Sequence, residues 1–206
     1  MLELNKVFLL IFFFLHSLIC LSSNIVNQFL LTNLLILMEI QKKYHISIGS
    51  NIGNRIKNIQ ETIDLIHSRI ASLLTISSIY ETESIGFEGD DFFNICASFN
   101  SFKSPHFIMN EFLEIEKLLW RVRSKEKKYS SRIIDIDILL VDDMIINSEE
   151  LTIPHKEMCN RRFVLDPLIE IDPNIIHPVN KISIKEILNS LESKQKIQKS
   201  DIILQN

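Results

Sequence analysis

Two aspartates separated by one residue, within Arg132-Ile133-Ile134-Asp135-Ile136-Asp137-Ile138-Leu139-Leu140, offer the clearest chemistry in this chain. The run is filled with isoleucine and leucine and reads as a β-strand. Side chains alternate faces along a strand, so Ile134, Ile136, Ile138 and Leu140 share an apolar face and Asp135 and Asp137 share the other. Asp is depleted in strands, and like charges on one face repel. A divalent cation held by both carboxylates would offset that repulsion. The plain alternative is a solvated face that carries two acids.

Cations precede the pair. Arg121, Arg123, Lys125, Lys127, Lys128 and Arg132 stand against the single acid Glu126. Such a run is often only a solvated loop. Feeding into an Asp-x-Asp strand, it also suits a polyphosphate bridged by Mg²⁺, with arginines gripping phosphate oxygens in pairs. A nucleic-acid groove fits less well, because only Tyr129 interleaves the charges. Upstream, Glu116 falls in the last turn of a helix, where the helix dipole disfavours an anion. It pairs with a nearby arginine or serves a ligand. Phe92 and Asn94 share one face of another strand, next to a Gly-containing loop, where the ring would stack on a flat heterocycle and the amide would read its edge. An ordinary strand pair, with Asn94 bonding a loop backbone, is the alternative. Thr152, His155 and Arg161 belong to a third polar cluster, Leu151 to Lys156 and Asn160 to Phe163. No G-x-x-x-x-G-K-[ST] loop and no G-x-G-x-x-G fingerprint occurs, so side chains and metal would have to hold any nucleotide phosphates.

The elements that must position these groups follow from the pattern. Tyr44 to Ile48 is a short strand ending at the turn Gly49-Ser50-Asn51. Asn51 or Asn54 caps a helix with Ile56, Ile59, Ile63, Ile66 and Ile70 at helical spacing. Leu73 to Thr82 is strand-like, Ser84 to Asp91 is a loop, and Phe92 to Phe102 is a strand with Phe93, Ile95, Ala97 and Phe99 on its apolar face. Ser104-Pro105 opens a helix with the stripe Ile108, Phe112, Ile115 and Leu119. The resulting order, β-α-β-β-α-β, is ferredoxin-like: an α+β fold with an antiparallel sheet and helices on one face. An added hairpin after Asp142-Asp143 and short helices over Phe163–Ile169 and Ile184–Leu191 complete it, with a loosely held tail after Glu192.

The 206 residues, 46% hydrophobic, suffice for one core, and the net charge of −4 disfavours general nucleic-acid binding. Cys20, Cys96 and Cys159 form no C-x-x-C pair, which fits a reducing compartment. Residues 1–37 differ in character: Val7 to Leu21 is uncharged and mostly apolar, shorter than the roughly 20 residues of a spanning helix. A signal or anchor, an uncleaved extension, and sequence upstream of a start at Met38 all fit; the last is favoured. Residues 38–206 read as the working domain.

From Tyr44 to about Pro178 the chain resembles the 6-hydroxymethyl-7,8-dihydropterin pyrophosphokinases of folate biosynthesis. The resemblance is carried by Gly49-Ser50-Asn51, Tyr80-Glu81-Thr82 with Gly86, Phe93-Asn94, Glu116, Arg121-Val122-Arg123, Arg132 through Asp137, Pro154-His155, Met158, Asn160-Arg161 and Phe163, in order and at close to family spacing. It implies transfer of pyrophosphate from ATP to the pterin hydroxymethyl group with release of AMP. It also implies two Mg²⁺ ions on Asp135 and Asp137, and a pterin between Phe92 and Phe163, read by Asn94 and the backbone around Thr82 and Ile85. Glu116, Arg121, Arg123, Tyr129, Arg132, Thr152, His155 and Arg161 would contact the nucleotide, with Arg121 and Arg132 serving transfer, and the basic linker would close over ATP. Small-molecule substrates, a monomer in the cytoplasm, and neither nucleic-acid nor membrane partners for residues 38–206 are the matching expectations.

Some positions depart from the family pattern. Tyr129 stands where Trp is frequent, Ser131 replaces Pro, and Glu83 replaces Pro in the pterin loop. Glu150 and Lys156 stand where a cation and an aromatic are expected, which bears on the details of nucleotide contact. Two rivals remain at this stage. A membrane-anchored Asp-x-Asp glycosyltransferase requires a Rossmann-like βα alternation before the motif. A non-catalytic ferredoxin-like nucleotide-binding module would be expected to lack a metal aspartate or an arginine pair.

Overall fold

The structure, a computed structural model, describes residues 41–73, 75–84, 89–119, 131–193 and 195–204. The leader, the loop positions Ile85 and Gly86, and the linker with Arg121, Arg123 and Tyr129 lie outside the described residues. Lys42–Asn206 forms one compact unit.

In order, the elements are β1 (Lys42–Ser50), α1 (Arg55–Arg69), β2 (Thr75–Ile76), β3 (Tyr80–Thr82), β4 (Phe92–Ser101), α2 (Pro105–Leu118), β5 (Asp135–Val141), β6 (Ile146–Asn147), β7 (Thr152–Ile153), a 3-10 turn (Met158–Asn160), α3 (Arg162–Ile171), α4 (Ile184–Ser190) and β8 (Ile197–Lys199). The main sheet runs β5-β1-β4-β3-β8 with β2 also on β4, and every pairing is antiparallel. Strands β5, β1, β4 and β3 thus form the antiparallel sheet of the ferredoxin-like order expected above. The parallel βα alternation that the glycosyltransferase requires is absent among the described residues.

Local chemistry sets the helices. Asn54 Oδ1 accepts from Lys57 N (3.0 Å) at the start of α1, and Ser104 Oγ accepts from Phe107 N (3.3 Å) at the start of α2, where Pro105 needs no N–H partner. Ser183 and Glu186 form a capping box at α4. Helices α1 and α2 bury Ile59, Ile63, Ile66, Ile108, Phe112 and Ile115 against one face of the sheet, where Phe99 stacks on Tyr44 at 5.0 Å and meets Phe112 edge-on at 6.5 Å. Each large apolar side chain so buried contributes about 1.5–3 kcal/mol. Helices α3 and α4 cover part of the opposite face through Cys96, Leu139, Val164, Leu165 and Leu168. The uncovered remainder of that face holds the site.

Helices α1 and α2 share one face of the sheet as expected, while the added short helices α3 and α4 lie on the other. Several expectations need correction. Leu73 to Thr82 is not one strand: Ser77 N and Oγ bond to β4 and Ser78 backbone atoms, separating β2 from β3. Ile56 is exposed at the start of its helix. Leu140 leaves the apolar row of Ile134, Ile136 and Ile138, because the β1–β5 register shifts between His45 and Ile46 and turns Leu140 toward the α3 cluster. The hairpin pairs β6 with β7 in a separate two-stranded sheet. The tail is not loose, since β8 pairs with β3.

Candidate active site

Asp135 and Asp137 lie on the uncovered face of β5, opposite Gly49 and Ser47 of β1. Alternation predicts this, and the core residues Ile134, Ile136 and Ile138 enforce it by filling the other face. A cavity of about 230 Å³ opens over these residues. Its lining includes Arg132, Asp135 and Asp137 at one end, and Thr82, Phe92, Asn94 and Phe163 with Arg161 around the rest. Eight residues predicted from three distant stretches of chain therefore share one cavity. Ser47, Gly49, Glu83, Glu157, Asn160 and Gln195 also line it. Gly49 and Asn160 were legible only as parts of short motifs. Glu83 was legible only as a departure in the pterin loop, and Ser47, Glu157 and Gln195 gave no signal, because strand register and the course of the chain beyond β7 decide which side they face.

The turn Gly49-Ser50-Asn51 joins the two ends of the site. Asn51 Nδ2 donates to Asp90 O (3.0 Å) and Ser131 Oγ (3.2 Å), and Asn51 Oδ1 accepts from Arg132 N (2.7 Å). Ser50 Oγ and Asn58 Nδ2 both donate to Ile133 O. The approach to β5 is thereby fixed, and Arg132 Nη1 bonds Asp135 Oδ2. Gly49 leaves room for the other end: a Cβ there would stand 3.0 Å from Asn94 Oδ1 and 3.7 Å from Phe92 Cδ1. Asn94 Nδ2 donates to Thr82 Oγ1 (2.9 Å), which sets the plane of a buried amide beside the Phe92 ring. Arg55 braces the neighbouring loop through Glu81 Oε1 (3.0 Å) and Asp91 O (2.6 Å), its guanidinium 3.6 Å from the Phe93 ring centroid.

Glu116, Thr152 and His155 are not among the residues lining the cavity. Glu116 is buried on α2, and its Oε1 accepts from Ile136 N (3.0 Å), the residue between the two aspartates. Thr152 sits in β7, paired with Asn147. His155 Nε2 is 3.9 Å from Asp137 Oδ2. Burial, assisted by the Arg161 charge, pushes the His155 imidazole down to about 4. It is therefore neutral at pH 7. Glu157 N donates to its Nδ1 (3.3 Å), which leaves the proton on Nε2, toward Asp137.

Among the described residues no three His, Cys, Asp or Glu side chains converge as a complete metal cage. Two carboxylates on one strand face match a hard cation that takes its other oxygens from water and phosphate, as Mg²⁺ commonly does beside nucleotides. A structural zinc site, with four protein ligands, does not match. Also among the described residues, no helix is long and apolar enough to cross a membrane.

The profile of the family described as 7,8-dihydro-6-hydroxymethylpterin-pyrophosphokinase matches residues 45–173. The 2-amino-4-hydroxy-6-hydroxymethyldihydropteridine pyrophosphokinase of Aquifex aeolicus is 35% identical over 144 residues, covering 69% of this chain and 88% of that protein. The folic acid synthesis protein fol1 of Pneumocystis carinii is 38% identical over 141 residues, covering 68% of this chain and 19% of that protein. The chain thus spans about a fifth of the length of that fungal relative. In fold, the wild-type Plasmodium falciparum HPPK-DHPS in complex with SDX-DHP is similar, with a TM-score of 0.58 at 17% identity over 75% of this chain and 45% of that one. Profile, relatives and ferredoxin-like sheet agree, and the chain belongs to the 7,8-dihydro-6-hydroxymethylpterin-pyrophosphokinase family.

Proposed function

We propose that this chain transfers the pyrophosphoryl group of ATP to the hydroxymethyl oxygen of 6-hydroxymethyl-7,8-dihydropterin, giving AMP and the pterin diphosphate in folate synthesis. One observation carries the proposal: a single cavity joins a carboxylate pair with two arginines to an aromatic and amide platform. The first end suits a metal-bound polyphosphate and the second a flat heterocycle. The acceptor oxygen attacks the β-phosphorus in line. The new O–Pβ bond forms as the bond from Pβ to the bridging oxygen breaks, the electron pair stays with AMP, and the hydroxyl proton is lost.

The chain's part is positioning and charge neutralisation, as in phosphoryl transfer generally. Phe92 and Phe163 hold the pterin ring between them, and Asn94 with the backbone at Thr82 and Ile85 fixes its edge. Arg132 and Arg161 face the phosphates, joined by Arg121 and Arg123 from the linker, while Glu116, Tyr129, Thr152 and His155 complete the nucleotide side. Two Mg²⁺ ions on Asp135 and Asp137 would neutralise phosphate charge when bound. Arg132, which bonds Asp135 in this structure, would bring its charge to the phosphates beside that cation site. ATP and pterin as substrates fit a monomer working in the cytoplasm.

The test is acceptor dependence. With Mg-ATP, nucleotide turnover should require 6-hydroxymethyl-7,8-dihydropterin. Equal turnover without it, or with an unrelated alcohol in its place, would overturn the proposal.

A further inference from the structure

Strand β8 brings a residue into the cavity that lies beyond the 45–173 stretch matched by the family profile. In the β3–β8 register Thr82 faces Ile197 and Tyr80 faces Lys199. Alternation puts Ile197 and Lys199 on the face that carries the cavity and α3, and Lys199 Nζ does reach Glu170 of α3 at 3.2 Å. Two residues before Ile197, on the same side, Gln195 lines the cavity together with Thr82, Phe92, Asn94 and Phe163. Its neighbour Lys196 pairs with Glu83 at 3.3 Å. Among the described residues, Gln195 Oε1 is buried and has no hydrogen-bond partner. A buried carbonyl oxygen left without a donor is costly, so a cavity wall that contains one suits a ligand that brings an N–H or O–H. A triphosphate carries acceptors only and cannot satisfy it. A dihydropterin carries N–H donors on its ring and its exocyclic amine.

We propose that Gln195, delivered by the β8 strand, is a specificity-determining residue whose Oε1 accepts a hydrogen bond from an N–H of the bound pterin; this rests on the pyrophosphokinase function above. The heterocycle is then read from two sides, by Asn94 from the sheet and by Gln195 from the C-terminal strand that closes it. Heterocycles lacking a donor at that edge bind less well because they leave the same oxygen unpaired.

Equilibrium binding to the full chain tests this, with 6-hydroxymethyl-7,8-dihydropterin and α,β-methylene ATP titrated separately. Gln195→Met keeps the length and removes the amide. It should weaken pterin binding about tenfold, the loss expected for one buried hydrogen bond. Affinity for the ATP analogue should stay within twofold, as should both affinities in Gln198→Ala, which alters the other side of β8. An unchanged pterin affinity, or an equal loss for both ligands, overturns the role of Gln195 and leaves the proposed function standing. Failure of the wild-type chain to bind the pterin overturns both. Should Gln195→Met not fold, the wild-type chain still decides: the ¹⁵N-labelled Gln195 side-chain amide should shift on adding pterin and not on adding the ATP analogue, and an unmoved signal refutes the contact.

Discussion

Replacing Glu116 separates anchoring from ligand contact. Strand β5 is an edge of the main sheet, and the N–H of Ile136 is satisfied by the Glu116 carboxylate at 3.0 Å rather than by another strand. Both groups are buried, at 1% exposure each. A hydrogen bond to a buried carboxylate contributes about 1.5–3 kcal/mol. Glu116→Ala removes it, leaves the Ile136 N–H unpaired, and should destabilise the chain by at least that amount, read as a lower urea midpoint with an unchanged m-value. Glu116→Gln retains a carbonyl acceptor and should cost only about 1 kcal/mol. Ile136 lies between Asp135 and Asp137, so freeing its backbone lets both carboxylates drift. A displacement near 1 Å costs on the order of a hundredfold in rate. We therefore expect Glu116→Ala to lose about that much AMP formation at temperatures where it stays folded, with Glu116→Gln within tenfold of wild type. Wild-type turnover in a folded Glu116→Ala chain would refute the anchoring role. If Gln were as damaging as Ala, the negative charge rather than the bond to Ile136 would be what matters.

Three further expectations follow from the geometry. Asp137→Asn keeps the shape of a half-exposed side chain but removes its charge; turnover should fall at least about a hundredfold with little change in melting temperature, and collapse of the fold would instead make the aspartate structural. Gly49→Ala places a methyl 3.0 Å from Asn94 Oδ1 and should raise the pterin Kd several-fold at nearly constant ATP affinity, measured by separate titrations. Stability should fall on acidification. Burial, reinforced by the Lys43 charge and opposed by Asp172, holds the His45 imidazole below its ordinary value, while the unfolded chain takes up that proton near pH 6.5. The unfolded state binds more protons in that window, so this contribution is complete above about pH 6.5 and is lost as pH falls toward the folded value, by at most about 1.4 kcal/mol per pH unit. His45→Gln should flatten the urea midpoint between pH 7.5 and 5.5, and an unchanged slope would exclude His45 as a source.

The core elements were legible because each carries a strong local signal. Ser104-Pro105, Asn54 and the isoleucine spacing of α1 mark helices without reference to anything distant. The Asp135–Asp137 face was legible for the same reason, since alternation is a local property. What sequence periodicity missed depends on partners. Leu140 changes sides through a register shift set by β1, and β2 and β3 separate because Ser77 bonds to β4 across the sheet. The polar, Lys- and Gln-rich tail has no strand signature. It is ordered by pairing with β3 and by Lys199 reaching Glu170, a carboxylate that also accepts from Ser78 and Tyr80. Gln195 was invisible for that reason. Glu116 attracted attention as an anion at the wrong end of a helix, and the fold gives the physical reason for it: an edge strand whose N–H needs an acceptor.

The fate of individual ATP phosphates tests the proposed reaction most directly. The chain is supplied with Mg²⁺, 6-hydroxymethyl-7,8-dihydropterin and ATP labelled in one reaction at the α-phosphorus and in another at the γ-phosphorus. Pyrophosphoryl transfer predicts that the α label appears only in AMP and the γ label only in the pterin product, at equal rates. An α label in ADP, or a γ label released as free phosphate, would contradict it.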